Sequence, residues 1–235
     1  MSLIVCVYVE EGIVLASDSK ITFNNTLNQN NTQINNIGIH TANSANKTFL
    51  CPNNTGIAAC GDAAVGGKPI SGFIEAFIIE KITEDTPIEK MPDLIKEYFY
   101  RLDSNLKANF IIAGYAKEKN KYVQKVYRVF TKSADIVSVD TSNQGMTWDG
   151  EIYTLIRLIQ PVYLKDNDNY QELPFEGISW NFYTLQDAID FARYAIKTTI
   201  DTMHFKTMIE TVGEPIDVLV IKQDGAKWIS KKDLH

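Results

Sequence analysis

Hydrophobic positions open the chain in two short blocks, Ile4 to Val9 and Ile13 to Ser17, on either side of Gly12. Blocks of this length, rich in Val and Ile, predict two strands. The stretch "KTFLCPNNTGIAACG" predicts a hairpin. Its arms run from Lys47 to Cys51 and from Gly56 to Cys60, with Pro52, Asn53 and Asn54 as the turn. Apolar residues then recur at Ile70, Phe73, Ile74, Phe77 and Ile78, which is helical spacing. A second helix fits "PDLIKEYFYRLDSNL", started by Pro92 and Asp93. Strand-like runs follow in "NFIIAGYA" and "YVQKVYRVFT", joined by the charged turn "KEKNK", and "DIVSVD" adds a short third. Helical spacing returns in "DGEIYTLIRLI" and "TLQDAIDFARYAIKTTIDTM", where Thr184 and Asp187 have the spacing of a capping box. "PIDVLVI" and "AKWIS" close the pattern as a hairpin across "KQDG".

Groups of strands therefore alternate with pairs of helices, and the connections are hairpin-like. This predicts an α+β fold built on antiparallel sheets rather than on βαβ crossovers. The expected packing is a four-layer αββα sandwich, two sheets face to face with helices outside each. With no internal repeat and no linker, residues 1–235 read as a single domain. Within it, residues 23–46 are polar and rich in asparagine. They are expected to form an inserted surface loop, with one short strand near Ile37 to His40.

Composition narrows the function classes. Of 235 residues, 45% are hydrophobic and 11% aromatic, enough to fill one large core. A net charge of -6 and a charged fraction of 22% do not resemble the basic stripe of a nucleic-acid binder. No apolar run reaches the roughly 18 residues of a membrane span, and no signal-peptide pattern opens the chain. Cys6, Cys51 and Cys60 lie in or at the ends of apolar runs, which predicts buried thiols and a reducing, cytoplasmic setting. His40, His204 and His235 are scattered, so no protein-built metal site and no cofactor is expected.

The candidate chemistry begins at Ser2. If Met1 is removed, Ser2 carries a hydroxyl and a free α-amine on one residue. An α-amine has an unperturbed pKa of roughly 7.7 to 8, so it can act as a base near neutral pH. Such a nucleophile needs a nearby cation to lower that pKa, a carboxylate to hold the cation, and a donor for the oxyanion. Asp18 ends the second predicted strand, Lys47 starts the hairpin, and Gly61 ends its second arm, where a backbone N–H can be presented.

In "SLIVCVYVEEGIVLASDSKIT", "KTFLCPNNTGIAACG" and "GEPIDVLVIKQDG" the chain resembles the proteasome β-type peptidases, which are N-terminal nucleophile hydrolases. The resemblance implies Ser2 as nucleophile, Asp18 as acidic partner, Lys47 as catalytic lysine and Gly61 as oxyanion amide. Lys20 matches a basic position, and Thr22 a threonine that binds the substrate backbone. It further implies peptide-bond hydrolysis through an acyl-enzyme, assembly of copies into a ring or spiral, and an unfoldase partner for folded substrates. The absence of a propeptide beyond Met1 looks most like the bacterial proteasome-like Anbu proteins.

That family supports the N-terminal amine with a Ser/Asp/Ser set. Here Ile209 and Val212 stand at two of those positions, and the adjacent Glu210 and Thr211 are expected to substitute. Thr147 is the candidate for the third. The alternative function is a catalytically inactive scaffold or assembly subunit, which retention of Met1 would favour. A small-amide hydrolase with an N-terminal serine is a further reading, separable by substrate panels.

Overall fold

The computed structural model describes residues 2–29 and 32–233. Strands β1 (Leu3–Val9) and β2 (Gly12–Ser17) form the opening hairpin and are buried throughout. Next come β3 (Ile21–Gln29), β4 (Thr32–Ala42), β5 (Thr48–Leu50), β6 (Gly56–Gly61) and the short pair β7 (Ala64–Val65) and β8 (Lys68–Pro69). Helices α1 (Ile70–Lys81) and α2 (Met91–Leu102) precede β9 (Ala108–Glu118), β10 (Lys121–Phe130), β11 (Asp135–Val139) and β12 (Gly145–Gly150). Helix α3 (Tyr153–Ile159), the hairpin β13 (Tyr163–Asp166) and β14 (Asn169–Glu172), and helix α4 (Leu185–His204) follow. β15 (Asp217–Lys222) and β16 (Gly225–Ser230) complete the order.

The strands form two five-stranded antiparallel sheets, ordered β12-β1-β2-β15-β16 and β11-β10-β9-β6-β5. Strand alternation distributes the apolar residues over both faces of each sheet. Leu3, Val5, Val7 and Val9 pack with Leu155 of α3 and with Ala188, Ala192 and Ile196 of α4. Ile4, Cys6 and Tyr8 point the other way, onto Ala58, Cys60, Ile111 and Val126 of the second sheet. That sheet's opposite face carries Ile57, Phe110, Ile112 and Val129 against Ile74, Phe77, Ile95 and Phe99 of α1 and α2. Burial on both faces is why β1 and β2 are near-continuous apolar runs rather than alternating ones. The three cysteines are buried and unpaired. Among the described residues no helix is long and apolar enough to cross a membrane.

The structure departs from the sequence expectation in two places. The asparagine-rich stretch is not a loop with one short strand: its described residues up to Ala42 lie in β3 and β4, which pair with each other from Ile21↔Ala42 to Gln29↔Thr32. Asparagine at successive positions hides the two-residue period, while the backbone ladder forms regardless of side chain. The helix expected to start at Asp149 starts at Tyr153, and the preceding "GMTWDG" is β12, paired along β1. The polar stretch around "KDNDNYQE" folds into the exposed β13–β14 hairpin. At Thr184 the expected capping box with Asp187 is present.

Candidate active site

Ser2 lies just before β1, nearly buried at 6% exposure. Its carbonyl accepts the N–H of Glu151 at 2.7 Å. Across the ladder Leu3 faces Gly150 and Ile4 faces Asp149. Gly150 has a φ of 98°, and a Cβ there would lie 1.8 Å from the Ser2 carbonyl oxygen. Only glycine lets the end of β12 close onto Ser2 in this way.

Asp18, fully buried, follows directly on β2. Its Oδ1 accepts the N–H of Leu3 at 3.0 Å and the Lys47 ammonium at 2.8 Å. Its Oδ2 accepts the N–H of Lys20 at 3.0 Å and that of Gly213 at 3.1 Å. A carboxylate so deep must be fully paired, and these four donors pair it. The Lys47 ammonium also donates to the carbonyl of Lys20. Burial holds Lys47 below the usual lysine range, with the charge and hydrogen bond of Asp18 opposing that shift.

Gly61 ends β6 with a φ of 103°, and a Cβ there would lie 2.1 Å from the Lys107 carbonyl oxygen. The N–H of Ala59 bonds the Lys47 carbonyl at 2.8 Å. By strand alternation the N–H of Gly61, two residues on, is directed to the same edge, past the start of β5 at Thr48.

These elements converge on one cleft lined by Ser2, Lys20, Thr22, Lys47, Cys60 and Gly61 among others. Ala45, Ala59, Pro69 and Ile70 give it apolar walls. The Thr22 hydroxyl is buried with no hydrogen-bond partner among the described residues. Five of the six residues expected for catalysis and substrate binding thus share the cleft, and Asp18 braces Lys47 behind it.

The two residues expected to support the amine do not join them. Glu210 accepts from the Lys20 ammonium at 2.7 Å and meets His204 Nδ1 at 3.2 Å. Together these hold its carboxyl below the usual range. The Thr211 hydroxyl is directed to the sulfur of Met203 at 3.9 Å. This segment serves the site through its backbone, because Gly213 donates to Asp18 and its carbonyl accepts from Ser19 at 2.9 Å. Thr147 faces Cys6 in the β1–β12 ladder.

A partly buried polar group on β12 escaped the sequence analysis. Asp149 Oδ2 accepts from Arg128 Nη2 at 2.8 Å. Its Oδ1 accepts from Asn109 Nδ2 at 3.1 Å and from the N–H of Gly150 at 2.7 Å. Burial first, and then the Asp149 charge, push the Cys60 thiol well above its ordinary range. The available signal was an Asp-Gly pair closing a run with strand alternation, which helical spacing downstream obscured. A buried pair, Lys232 with Asp217, reaches Asn46 of the cleft wall. Among the described residues no group of His, Cys, Asp and Glu could hold a metal ion.

The sequence matches no protein-family profile, and no curated protein is similar to it. Solved structures are similar in fold. A Gly-1 mutant of Anbu from Hyphomicrobium sp. strain MC1 aligns with a TM-score of 0.58 at 13% identity, over 99% of this chain and 89% of that one. Anbu, the ancestral beta-subunit, from Yersinia bercovieri aligns with a TM-score of 0.57 at 12% identity, over 98% and 88%. The chain has the proteasome-like fold of the Anbu proteins.

Proposed function

We propose that this chain is a proteasome β-like N-terminal serine hydrolase, cleaving peptide or amide bonds once Met1 is removed. The observation that carries the reading is the convergence of Ser2, Lys47 and Gly61 on one cleft, with Asp18 fully hydrogen-bonded behind the lysine. The Ser2 hydroxyl attacks the scissile carbonyl carbon and passes its proton to its own α-amine. Lys47, held charged by Asp18, keeps that amine from being protonated too readily. The Gly61 N–H stabilises the oxyanion, and Lys20 and Thr22 border the path of the substrate. The protonated amine then gives its proton to the leaving amine, and water releases the acyl group from Ser2.

The same reading takes residues 1–235 as one domain in a four-layer αββα sandwich. Its support is the three apolar clusters, one between the sheets and one beneath each helical layer. Self-assembly into a ring or spiral accords with the Anbu likeness. The unpaired cysteines accord with a cytoplasmic setting. One observation favours the alternative of an inactive scaffold: neither Glu210 nor Thr211 is directed to the cleft.

The test is an intact mass of protein made in its own host, followed by assay on short peptides. A start at Ser2, turnover, and its loss to background in a folded Ser2→Ala variant are expected. A start at Met1, or turnover unchanged in Ser2→Ala, defeats the reading in favour of the scaffold.

A further inference from the structure

We propose that Asp149, clamped by Arg128 and Asn109, is the positioning residue for the α-amine of Ser2. The inference rests on the hydrolase reading for its purpose, and on strand register and packing for its place.

Asp149 pairs with Ile4 in the β1–β12 ladder, and cross-strand partners share a face. Ile4 faces the space between the sheets. Ser2 precedes Ile4 by two positions, so its side chain belongs to that same face. Asp149 and Ser2 are therefore diagonal neighbours on one face, about 7–8 Å apart between backbones. Cys60 links them from the opposite sheet: it lines the cleft with Ser2, and its thiol feels the charge of Asp149.

The carboxylate is fixed from across the sandwich. Asn109 belongs to β9 and Arg128 to β10, and both reach Asp149 from the second sheet. Arg128 is braced in turn over the Phe130 ring at 4.9 Å. Among the described residues Oδ1 has two donors, whereas Oδ2 has only Arg128. A carboxylate oxygen offers about two acceptor sites, so Oδ2 retains one for an ammonium. Glu151 is the competing acid. It follows Gly150, whose positive φ takes the chain out of strand alternation, and its contribution is the N–H on the Ser2 carbonyl.

The charged and titratable groups facing this corner are Lys47 and Asp18 from the β2–β5 side, Lys20 at the start of β3, and Cys60 and Asp62 at the end of β6. Arg128 and Glu151 complete the near set, with Lys232 behind Lys47. Lys47 disfavours the ammonium form of Ser2, and Asp149 favours it. Arg128 limits how strongly Asp149 does so. As Ser2 Oγ bonds the carbonyl carbon, its proton passes to the amine, and the ammonium so formed donates to Asp149 Oδ2 until the leaving amine takes the proton.

The experiment reads the amine itself. On protein shown by intact mass to begin at Ser2, the rate of acetylation of the Ser2 amine by dilute acetic anhydride is followed against pH by peptide mapping. The same variants are profiled for peptide hydrolysis. Asp149→Asn is expected to lower the amine pKa by about one unit and move the acid limb of kcat/KM equally downward. Arg128→Met is expected to move both upward, and Asp149→Glu to restore the wild-type direction. Glu151→Gln is expected to leave them in place. Opposite shifts from the two partners of one ion pair are not what a merely structural pair produces. An amine pKa unmoved by Asp149→Asn, or moved by Glu151→Gln instead, overturns the assignment. Amine shifts as expected without any peptide turnover would uphold the positioning and defeat the hydrolase.

Discussion

The Lys47 ammonium sits 2.8 Å from Asp18 Oδ1, the same oxygen that takes the N–H of Leu3. One buried atom thus ties the start of β1 to the lysine beside the cleft. Removing Asp18 leaves both donors, and those of Lys20 and Gly213, without their acceptor. Asp18→Ala should therefore destabilise the fold by about 3–5 kcal/mol, the usual effect of breaking a buried pair. Urea unfolding measures it. A loss below 1 kcal/mol, on the scale of a surface pair, would mean the pair is more hydrated than its geometry indicates.

Gly61→Ala tests the oxyanion corner. A Cβ at 2.1 Å from the Lys107 carbonyl, on a φ of 103°, forces the backbone to move. Strain of about 1–3 kcal/mol in stability follows. Displacement of the N–H should cost about 10²–10³ in kcat, the usual weight of one oxyanion donor. Pre-steady-state acylation on a peptide ester separates the two effects, because a purely structural role leaves acylation intact in the folded fraction.

The parts of this arrangement legible in the sequence are those set by local pattern. The burial of β1 and β2, the β5–β6 hairpin and the Thr184 cap depend on residues close in sequence. Asp18, Lys47 and Gly61 could be singled out because each interrupts or ends an apolar run. Asp149 was not legible, for its meaning depends on Asn109 and Arg128, supplied by another sheet. Glu210 and Thr211 were expected beside the amine from their place ahead of β15. Their partners, Lys20 and His204 for the one and the Met203 sulfur for the other, lie far off or in another element and are not legible from local pattern.

Glu210 supplies a pH-dependent prediction. Its carboxyl is held low, chiefly by the hydrogen bond from Lys20 and then by His204. A depressed carboxyl contributes stability above its ordinary value of 4.5, and that contribution is lost as pH falls through the lowered folded value. The side chain is 41% exposed, so solvent screening keeps the effect within about 1 kcal/mol. Wild type and Glu210→Gln should differ slightly in Tm near neutral pH and converge in acid. Divergence on acidification would reverse the sign and exclude the pairing.

Thr22→Val sets stability against function. The Thr22 hydroxyl is buried beside the cleft without a partner among the described residues, so it bears a desolvation penalty in the free protein. Valine matches its shape and lacks the polar atom, and should raise stability by about 1–3 kcal/mol. A hydroxyl kept despite that penalty is suited to a substrate group that arrives later. KM should then rise while kcat stays near wild type, the pattern of lost ground-state binding. Thermal melts and peptide kinetics on the same preparation decide the point. Higher Tm with unchanged KM would assign the hydroxyl to neither binding nor folding, and would place the substrate elsewhere along the cleft.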